Sequence, residues 1–288
     1  MRELVIISGK GGTGKTSVAA SLACLARNKV IADCDVDAAD MHLVLKPDVR
    51  STTVFAGGKK AVINGKTCTA CGECLRYCRF DAISDDFAVD PISCEGCGVC
   101  VRFCPAGAVT MNDHVSGEWF LSDTRHGPLV HAKLGIAEGN SGKLVTLIKK
   151  KAREIAGEKG YELVIVDGSP GTGCPVIATM SGAAVALVVT EPTVSGIHDL
   201  KRIHELARHF NIKTAVCVNK ADINLEKVAE IKTFCARNGI TVAGEIPYDT
   251  DVSRAQIAGQ SVVEHSAGAA AQSILSLWNR ISSLIQDN

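Results

Sequence analysis

The chain of 288 residues has no excess of either charge, since 31 lysines and arginines balance 31 aspartates and glutamates. Proteins whose main partner is nucleic acid usually carry a basic surplus, so we expect no nucleic-acid partner. The longest apolar run, residues 183–189, is far shorter than the roughly 20 residues that span a bilayer. The first residues also lack the layout of a signal peptide. We therefore expect a cytoplasmic protein without membrane contact.

Cysteine is abundant, with 13 in all, and eight of these lie between Cys68 and Cys104. The eight form two copies of the spacing C-x2-C-x2-C-x3-C. Zinc sites usually consist of two separated C-x2-C units, and disulfides need an oxidising compartment, so this spacing favours iron–sulfur clusters. In such repeats the fourth cysteine reaches the other cluster. We predict two [4Fe–4S] clusters, one held by Cys68, Cys71, Cys74 and Cys104, and the other by Cys78, Cys94, Cys97 and Cys100.

The internal repeat extends beyond the cysteines. Equivalent positions are held by Gly72 and Gly98, Arg76 and Arg102, and Ala82 and Ala108. Residues 66–111 resemble the two-cluster bacterial ferredoxins. This resemblance implies a small module of β-hairpins and short helices that passes single electrons. The segment departs from that family at Arg79, where a proline usually follows the fourth cysteine, as Pro105 does here.

A glycine-rich loop follows the first apolar run, residues 4–8, and leads into a helical pattern. The loop matches the phosphate-binding pattern G-x4-G-K-[ST] in its strand-to-helix context. We expect its backbone N–H groups to surround phosphate, Lys15 to reach the β and γ phosphates, and Thr16 to coordinate Mg²⁺. The loop consists of Gly9, Lys10, Gly11, Gly12, Thr13, Gly14, Lys15 and Thr16.

Lys10 makes this loop more specific. The segment KGGTGKT resembles the deviant Walker A motif of the MinD/ParA/nitrogenase-iron-protein ATPases, and the resemblance covers the chain outside the cysteine segment. In that family the early lysine reaches the partner's phosphates across an ATP-dependent dimer. The resemblance therefore implies an ATPase and a homodimer, with catalytic roles for both Lys10 and Lys15.

Two acidic segments resemble the switch regions of the same family. Asp33 and Asp35 follow the predicted strand 29–32, and we predict that Asp35 is the catalytic carboxylate, with Asp33 the next candidate. Asp167 follows the predicted strand 163–166 and is expected to hold Mg²⁺ together with Thr16 and Asp35. Gly171 is expected to offer its N–H to the γ-phosphate.

The family resemblance places four residues around the purine: Asn219, Lys220, Pro247 and Tyr248. Asn219, Lys220 and Asp222 also satisfy the N-K-x-D pattern by which other phosphate-loop proteins choose guanine. The residues alone therefore do not decide whether the nucleotide is ATP or GTP, and the family resemblance favours ATP.

Apolar runs near residues 4, 29, 52, 163, 184, 214 and 242 are predicted strands, and they alternate with helical stretches along the chain. This alternation predicts an α/β fold with a mostly parallel sheet and helices on both faces, interrupted by the ferredoxin-like module of small α+β type. We place the ATPase domain at residues 1–58 and 115–288 and the module at residues 59–114, with residues 57–60 as a linker.

Several other features favour packing roles. The final helical stretch, residues 267–285, has Arg280 as its only basic residue, which favours core packing over membrane binding. Cys174 lies where nitrogenase iron protein has a cluster ligand, but this chain has no second cysteine in the segment where that family has its partner ligand, so a small helix cap is favoured. Four cysteines on periodic apolar segments are expected in the core: Cys24, Cys34, Cys217 and Cys235.

The features together predict a dimeric ATPase that gates electron transfer through two clusters to a partner protein. A second hypothesis is an assembly ATPase that transfers a metal cluster to an apo-metalloprotein. A third is a spatial-positioning ATPase whose clusters sense redox state.

Overall fold

The computed structural model describes residues 1–135, 138–139 and 141–286. The strands in these residues are β1 (Arg2–Ser8), β2 (Lys29–Asp33), β3 (Asp48–Ile63), β4 (Val109–Thr124), β5 (Gly127–Leu134), β6 (Leu163–Pro170), β7 (Val185–Thr190), β8 (Lys213–Asn219) and β9 (Thr241–Ile246). The helices are α1 (Lys15–Leu25), α2 (Met41–Leu45), α3 (Glu73–Tyr77), α4 (Val99–Arg102), α5 (Ser141–Lys159), α6 (Cys174–Met180), α7 (Val194–His209), α8 (Leu225–Arg237), α9 (Thr250–Ala258), α10 (Val262–His265) and α11 (Ala269–Gln286).

The strands form one sheet in the order β3-β4-β5-β2-β6-β1-β7-β8-β9. Every neighbouring pair from β5 to β9 in this order is parallel. The central strands are short apolar runs with almost every residue buried, as expected of a parallel sheet covered on both faces. The predicted α/β fold with a mostly parallel sheet is confirmed.

Alternate residues of β1 face different layers of helices. Leu4 and Ile6 belong to a core cluster that also contains residues of α1, α9, α10 and α11. Val5 and Ile7 are equally buried but lie outside that cluster. Successive side chains of a strand point to opposite faces, so both faces of the sheet are covered.

The chain divides into two compact units. The first contains Met1–Thr52, Trp119–Lys133 and Ser141–Asn288, and the second contains Thr53–Glu118 and Leu134–Asn140. The second unit therefore begins before the predicted residue 59 and ends after the predicted residue 114. Its boundaries fall inside β3 and β4.

The predicted linker at residues 57–60 is wrong, because these residues lie within β3. Two glycines and two lysines have low strand propensity, but β3 is hydrogen-bonded to β4 along the sheet edge. Such pairing outweighs a weak intrinsic preference.

Helix α11 packs into the core as predicted. Ile274, Leu277 and Ile281 are buried, and Trp278 packs against the same cluster while partly exposed. Among the described residues no helix combines the length and apolar character that crossing a bilayer requires. The apolar stripe of α11 therefore has a packing role within the fold.

Candidate functional site

The phosphate loop joins the end of β1 to the start of α1 and depends on glycine at two close approaches. Gly14 precedes α1 with φ 85°, and a Cβ there would lie 2.3 Å from Asn219 Nδ2. A Cβ at Gly9 would lie 2.0 Å from the Cβ of Asp199. The left-handed conformation and the close contacts both exclude a side chain.

Lys15 meets two carboxylates at the carboxyl ends of β2 and β6. Its Nζ lies 2.8 Å from Asp167 Oδ1 and 3.1 Å from Asp35 Oδ2. All three side chains are at least nine-tenths buried. Because β2 and β6 are parallel neighbours, Asp33 is paired with Asp167 and the two switch segments start side by side.

The acidic groups outnumber the lysine that contacts them. Burial raises the pKa of Asp33 well above its usual range, and the charge of Asp167 raises it further. Burial also raises the pKa of Asp35, although Lys15 opposes that shift. Burial acts against the charge of Lys15, but Asp167 and Asp35 outweigh it and raise the lysine pKa. Three carboxyl groups thus lie beside one ammonium group.

Two buried oxygens at this site have no hydrogen-bond partner among the described residues: Asp167 Oδ2 and Thr13 Oγ1. The hydroxyl of Thr16 lies 3.3 Å from Lys15 Nζ. Hard oxygen donors are the ligand set that Mg²⁺ takes in nucleotide sites. The residues present therefore fit a magnesium ion together with phosphate.

Asp33 and Asp35 have different positions. Asp33 is fully buried and accepts backbone N–H groups from Asp35 at 3.2 Å and Met41 at 3.3 Å. Asp35 contacts Lys15 and is 7% exposed. Asp33 thus holds the loop after β2, whereas Asp35 lies where it can contact a bound ligand. Ser169 joins the two switch segments, since its hydroxyl donates to Cys34 O at 2.8 Å.

Lys10 is held by groups of its own chain. Its Nζ donates to Ser195 Oγ at 3.1 Å and lies 3.4 Å from Glu191 Oε2. The other oxygen of Glu191 accepts Lys220 Nζ at 2.5 Å. The sequence reasoning missed Glu191 and Ser195. Glu191 could have been found because it directly follows β7, and residues at the carboxyl ends of parallel strands meet at one edge of the sheet.

The N–H of Gly171, predicted to face the γ-phosphate, donates to Ser8 O at 2.8 Å. Gly171 has φ 95°, in the left-handed region that favours glycine. A contact with phosphate would therefore require this backbone bond to break.

The predicted purine residues lie at the ends of β8 and β9. Asn219 Nδ2 donates to Thr13 O at 2.8 Å, which ties the end of β8 to the phosphate loop. Lys220 Nζ lies 3.5 Å from Gly12 O. Tyr248 is 58% exposed beside Pro247, and its N–H donates to Asp222 Oδ1 at 2.7 Å.

In the second unit the two cysteine repeats adopt matching local structure. The short helices α3 and α4 each follow a left-handed glycine, Gly72 with φ 78° and Gly98 with φ 74°. Ala82 and Ala108 are each 2% exposed. The sequence repeat is therefore a structural repeat.

The cysteines fall into two groups that cross between the repeats. Burial raises the pKa of Cys74, and neighbouring Cys68 and Cys104 raise it further. Burial likewise raises the pKa of Cys100, with Cys94 and Cys97 adding to the shift. A cavity in this unit is lined by thiols from both repeats: Cys78, Cys94, Cys97 and Cys100. Cys104 thus lies with the first repeat and Cys78 with the second.

Other cysteines behave as simpler residues. Cys34, Cys217 and Cys235 are fully buried as predicted, whereas Cys24 is only partly buried. Cys174 is exposed and is the first residue of α6, after Gly173 at the N-cap.

Known proteins share this fold and sequence pattern. The family model described as the CobQ/CobB/MinD/ParA nucleotide binding domain matches residues 4–262. An uncharacterized protein of Methanocaldococcus jannaschii is 35% identical, over 98% of this chain and 97% of the relative.

Two solved structures have a similar fold. The septum site-determining protein MinD of Pyrococcus horikoshii, complexed with Mg-ADP, superposes with a TM-score of 0.63 at 16% identity, covering 98% of this chain and 96% of the other. A McdA variant of Cyanothece in complex with ATP superposes with a TM-score of 0.60 at 15% identity, covering the same shares. At these identities the likeness concerns the fold alone.

Proposed function

Because the chain belongs to the CobQ/CobB/MinD/ParA nucleotide-binding family, we propose that it is a Mg²⁺-dependent ATPase that forms a homodimer around bound ATP. The observation that carries this proposal is the buried group of Lys15, Asp35 and Asp167 at the end of the phosphate loop. The cluster of carboxyl oxygens and the unpartnered Asp167 oxygen suit a magnesium ion bound with phosphate. The Mg-ADP and ATP complexes of the similar structures are consistent with these ligands.

Each residue has a separate role in the proposed reaction. Lys15 exchanges its contacts with Asp35 and Asp167 for phosphate oxygens, while Thr16 and Asp167 hold the magnesium ion. When bound there, Mg²⁺ would neutralise charge that develops on the phosphate oxygens. Asp35, released from Lys15, orients the attacking water, and Asp33 keeps the segment after β2 in place. Lys10 leaves Glu191 and contacts the phosphates of the partner chain.

ATP is the proposed nucleotide rather than GTP. In guanine-binding proteins the aspartate of N-K-x-D contacts the base. One oxygen of Asp222 is instead occupied by the N–H of Tyr248. Asn219 is similarly engaged with the phosphate loop. These contacts favour a structural use of the motif.

We further propose that the second unit is a ferredoxin-like carrier of two [4Fe–4S] clusters. The support is the crossed grouping, with Cys68, Cys74 and Cys104 near one another and Cys78 lining a cavity with the second repeat. The second group supplies the four thiolates of such a cluster, and the first would do so with Cys71 as its fourth ligand. The clusters would supply one-electron chemistry. ATP hydrolysis would gate the transfer of these electrons to a partner protein.

The ATPase proposal is tested by separating binding from hydrolysis. Lys15→Ala should abolish nucleotide binding, because it removes the cation that contacts phosphate. Asp35→Ala should retain binding and slow hydrolysis, because a group that orients water acts mainly in the transition state. Nucleotide affinity and single-turnover hydrolysis, measured with ATP and with GTP, provide the comparison.

Equal loss of binding in both variants would refute this division of roles. Tighter binding of GTP than ATP would refute the nucleotide assignment.

A further inference from the structure

Cys24, His126 and Glu264 meet in the first unit, at the opposite end of α1 from Lys15. Cys24 is in the last turn of α1, His126 lies between β4 and β5, and Glu264 belongs to α10. The Sγ of Cys24 lies 3.1 Å from His126 Nε2, and Glu264 Oε1 lies 2.8 Å from the same nitrogen. Three segments that are distant in sequence thus place a thiol, an imidazole and a carboxylate together.

We propose that these side chains bind one divalent metal ion of the zinc class, through Cys24 Sγ, His126 Nε2 and Glu264 Oε1. The three ligand atoms lie within 4.8 Å of one another. Thiolate sulfur, imidazole nitrogen and carboxylate oxygen are the ligands that zinc takes in proteins. Three protein ligands leave the fourth tetrahedral position for water or an exogenous ligand.

The contacts of Cys24 and Glu264 converge on one ring nitrogen, as the ligands of a shared metal ion do. A ring nitrogen carries at most one proton, and here Nε2 is the nearest ring atom for both Cys24 and Glu264. If Nε2 carries the proton it can donate to Glu264 but cannot accept the S–H of Cys24, and if it carries none the reverse holds. A metal ion between the three atoms would satisfy all of them, after a small outward movement of each.

The carboxylate is already oriented for this role. Arg125 donates to both oxygens of Glu264, at 2.7 and 2.9 Å, and Ser261 donates to Oε2 from its hydroxyl and its backbone N–H. Arg125 is itself fixed by the carbonyls of Val44 and Leu45. Such outer partners hold a ligand carboxylate in place and leave Oε1 directed at His126.

Metal binding at this site should release a proton. Burial raises the pKa of Cys24 to about 11, so the thiol is protonated at neutral pH. Burial opposes ionisation of Glu264, but hydrogen bonds from Arg125 and Ser261 outweigh it and lower the carboxyl pKa. On binding, the Cys24 S–H bond breaks, the sulfur–metal bond forms, and the proton leaves to solvent. Affinity should therefore rise with pH.

The test uses the full chain, purified anaerobically, equilibrated with buffered Zn²⁺ and analysed for zinc. A second sample is loaded with Cd²⁺ and analysed by cadmium NMR, because a site with one thiolate resonates apart from sites with four. Cys24→Ser and His126→Gln are the test variants. Cys235→Ala, which changes a buried cysteine of α8, is the matched control. Glu264 is left unchanged because it also caps α10.

We expect wild type and Cys235→Ala to hold one more zinc per chain than either test variant. The one-thiolate cadmium resonance should be present in the first pair and absent from the second. Zinc should also raise the unfolding temperature of wild type and not of Cys24→Ser. Equal zinc contents in wild type and Cys24→Ser would overturn the proposal. A resonance that survives His126→Gln would overturn the three-ligand site.

Discussion

A single carboxylate, Glu191, contacts two lysines, and one of them, Lys10, has to move in the proposed mechanism. One oxygen contacts Lys10 and the other contacts Lys220. Both lysine side chains are about one-third exposed, so these ion pairs are partly screened by solvent. These ion pairs should therefore oppose the movement of Lys10 to the partner's phosphates without preventing it.

We predict that Glu191→Gln strengthens ATP-dependent dimerisation, because Lys10 is then free to reach the partner's phosphates. Partly exposed ion pairs contribute about 0.5 to 1 kcal/mol, which corresponds to an approximately twofold to fivefold lower ATP concentration at half-dimerisation. Analytical ultracentrifugation over an ATP series measures this midpoint. Glu230→Gln, which removes the surface ion pair with Lys227, serves as the control. A midpoint that is the same in all three proteins contradicts a restraining role for Glu191.

His131 is a buried histidine that should make the stability of the fold depend on pH. It is 8% exposed in β5, and Ser122 Oγ lies 2.9 Å from its Nε2. Burial lowers its pKa to about 4, and the charge of His42 adds to the shift. The folded state thus favours the neutral ring. The contribution of His131 to stability is complete above its pKa in the unfolded state. It is lost as the pH falls towards its pKa in the folded state.

We predict that acidification from about pH 7 to about pH 5 costs wild type about 2 kcal/mol of unfolding free energy through His131. His131→Gln retains a hydrogen-bonding group for Ser122 and removes the titration, so its loss over the same interval should be smaller. Urea unfolding at both pH values gives the difference. His198→Gln, at an exposed position, should behave as wild type. Identical pH dependence in His131→Gln and wild type would show that the pKa of the ring is the same in the folded and unfolded states.

At the scale of elements, the sequence predicted the structure best where local pattern and packing agree. The strands β1, β2, β6, β7, β8 and β9 are apolar runs, and each was located from the sequence. The phosphate loop was found because its glycines and lysines have a fixed spacing before α1. These features can be predicted from local sequence alone, without knowledge of the rest of the fold.

The far edge of the sheet could not be predicted in this way. β4 is largely exposed or half-buried, with scattered apolar residues, so no continuous run or clean alternation identifies it. The short apolar run near residue 52 marks only a small part of β3, which is also largely exposed. Their pairing is decided by long-range contacts that a local pattern does not contain. The same applies to Glu191 and Cys24, whose partners lie on distant segments.

The crossed cysteine groups support an element-scale prediction. Wild type should contain about eight iron atoms per chain. Cys71→Ser with Cys104→Ser removes two ligands of one proposed cluster, so about four iron atoms should remain. Cys71→Ser with Cys78→Ser removes one ligand from each cluster and should perturb both electron paramagnetic resonance signals of the reduced protein.

Iron and sulfide analysis of the two double variants, after anaerobic reconstitution, measures the grouping. If the pair with Cys78 keeps one intact signal and the pair with Cys104 disturbs both, ligation follows each repeat separately. Zinc without iron in well-folded wild type would refute the cluster proposal itself.

At the scale of the whole molecule, the long strands β3 and β4 each begin in one unit and end in the other. β3 starts in the first unit, fifteen residues after Asp33, and continues into the second, while β4 makes the reverse passage. These strands are continuous covalent routes between the nucleotide unit and the cysteine unit. If closure of the proposed ATPase dimer shifts the segment after β2, the proposed clusters would respond through β3. The connection makes coupling possible, and only a thermodynamic measurement establishes it.

We predict that bound nucleotide shifts the reduction potential of at least one cluster. A ligand whose affinity depends on redox state is reciprocally linked to that state, and a coupling of about 1.4 kcal/mol appears as about 60 mV for a one-electron couple. Anaerobic redox titration with and without a non-hydrolysable ATP analogue measures the shift. Lys10→Ala, which we expect to bind nucleotide without dimerising, is the matched control and should show a smaller shift. If dimerisation is confirmed and wild-type potentials still agree in both states, equilibrium gating of electron transfer is excluded. Cluster transfer to an apo-metalloprotein would then be the function to test, because it needs nucleotide-dependent release of a cluster and no change in potential.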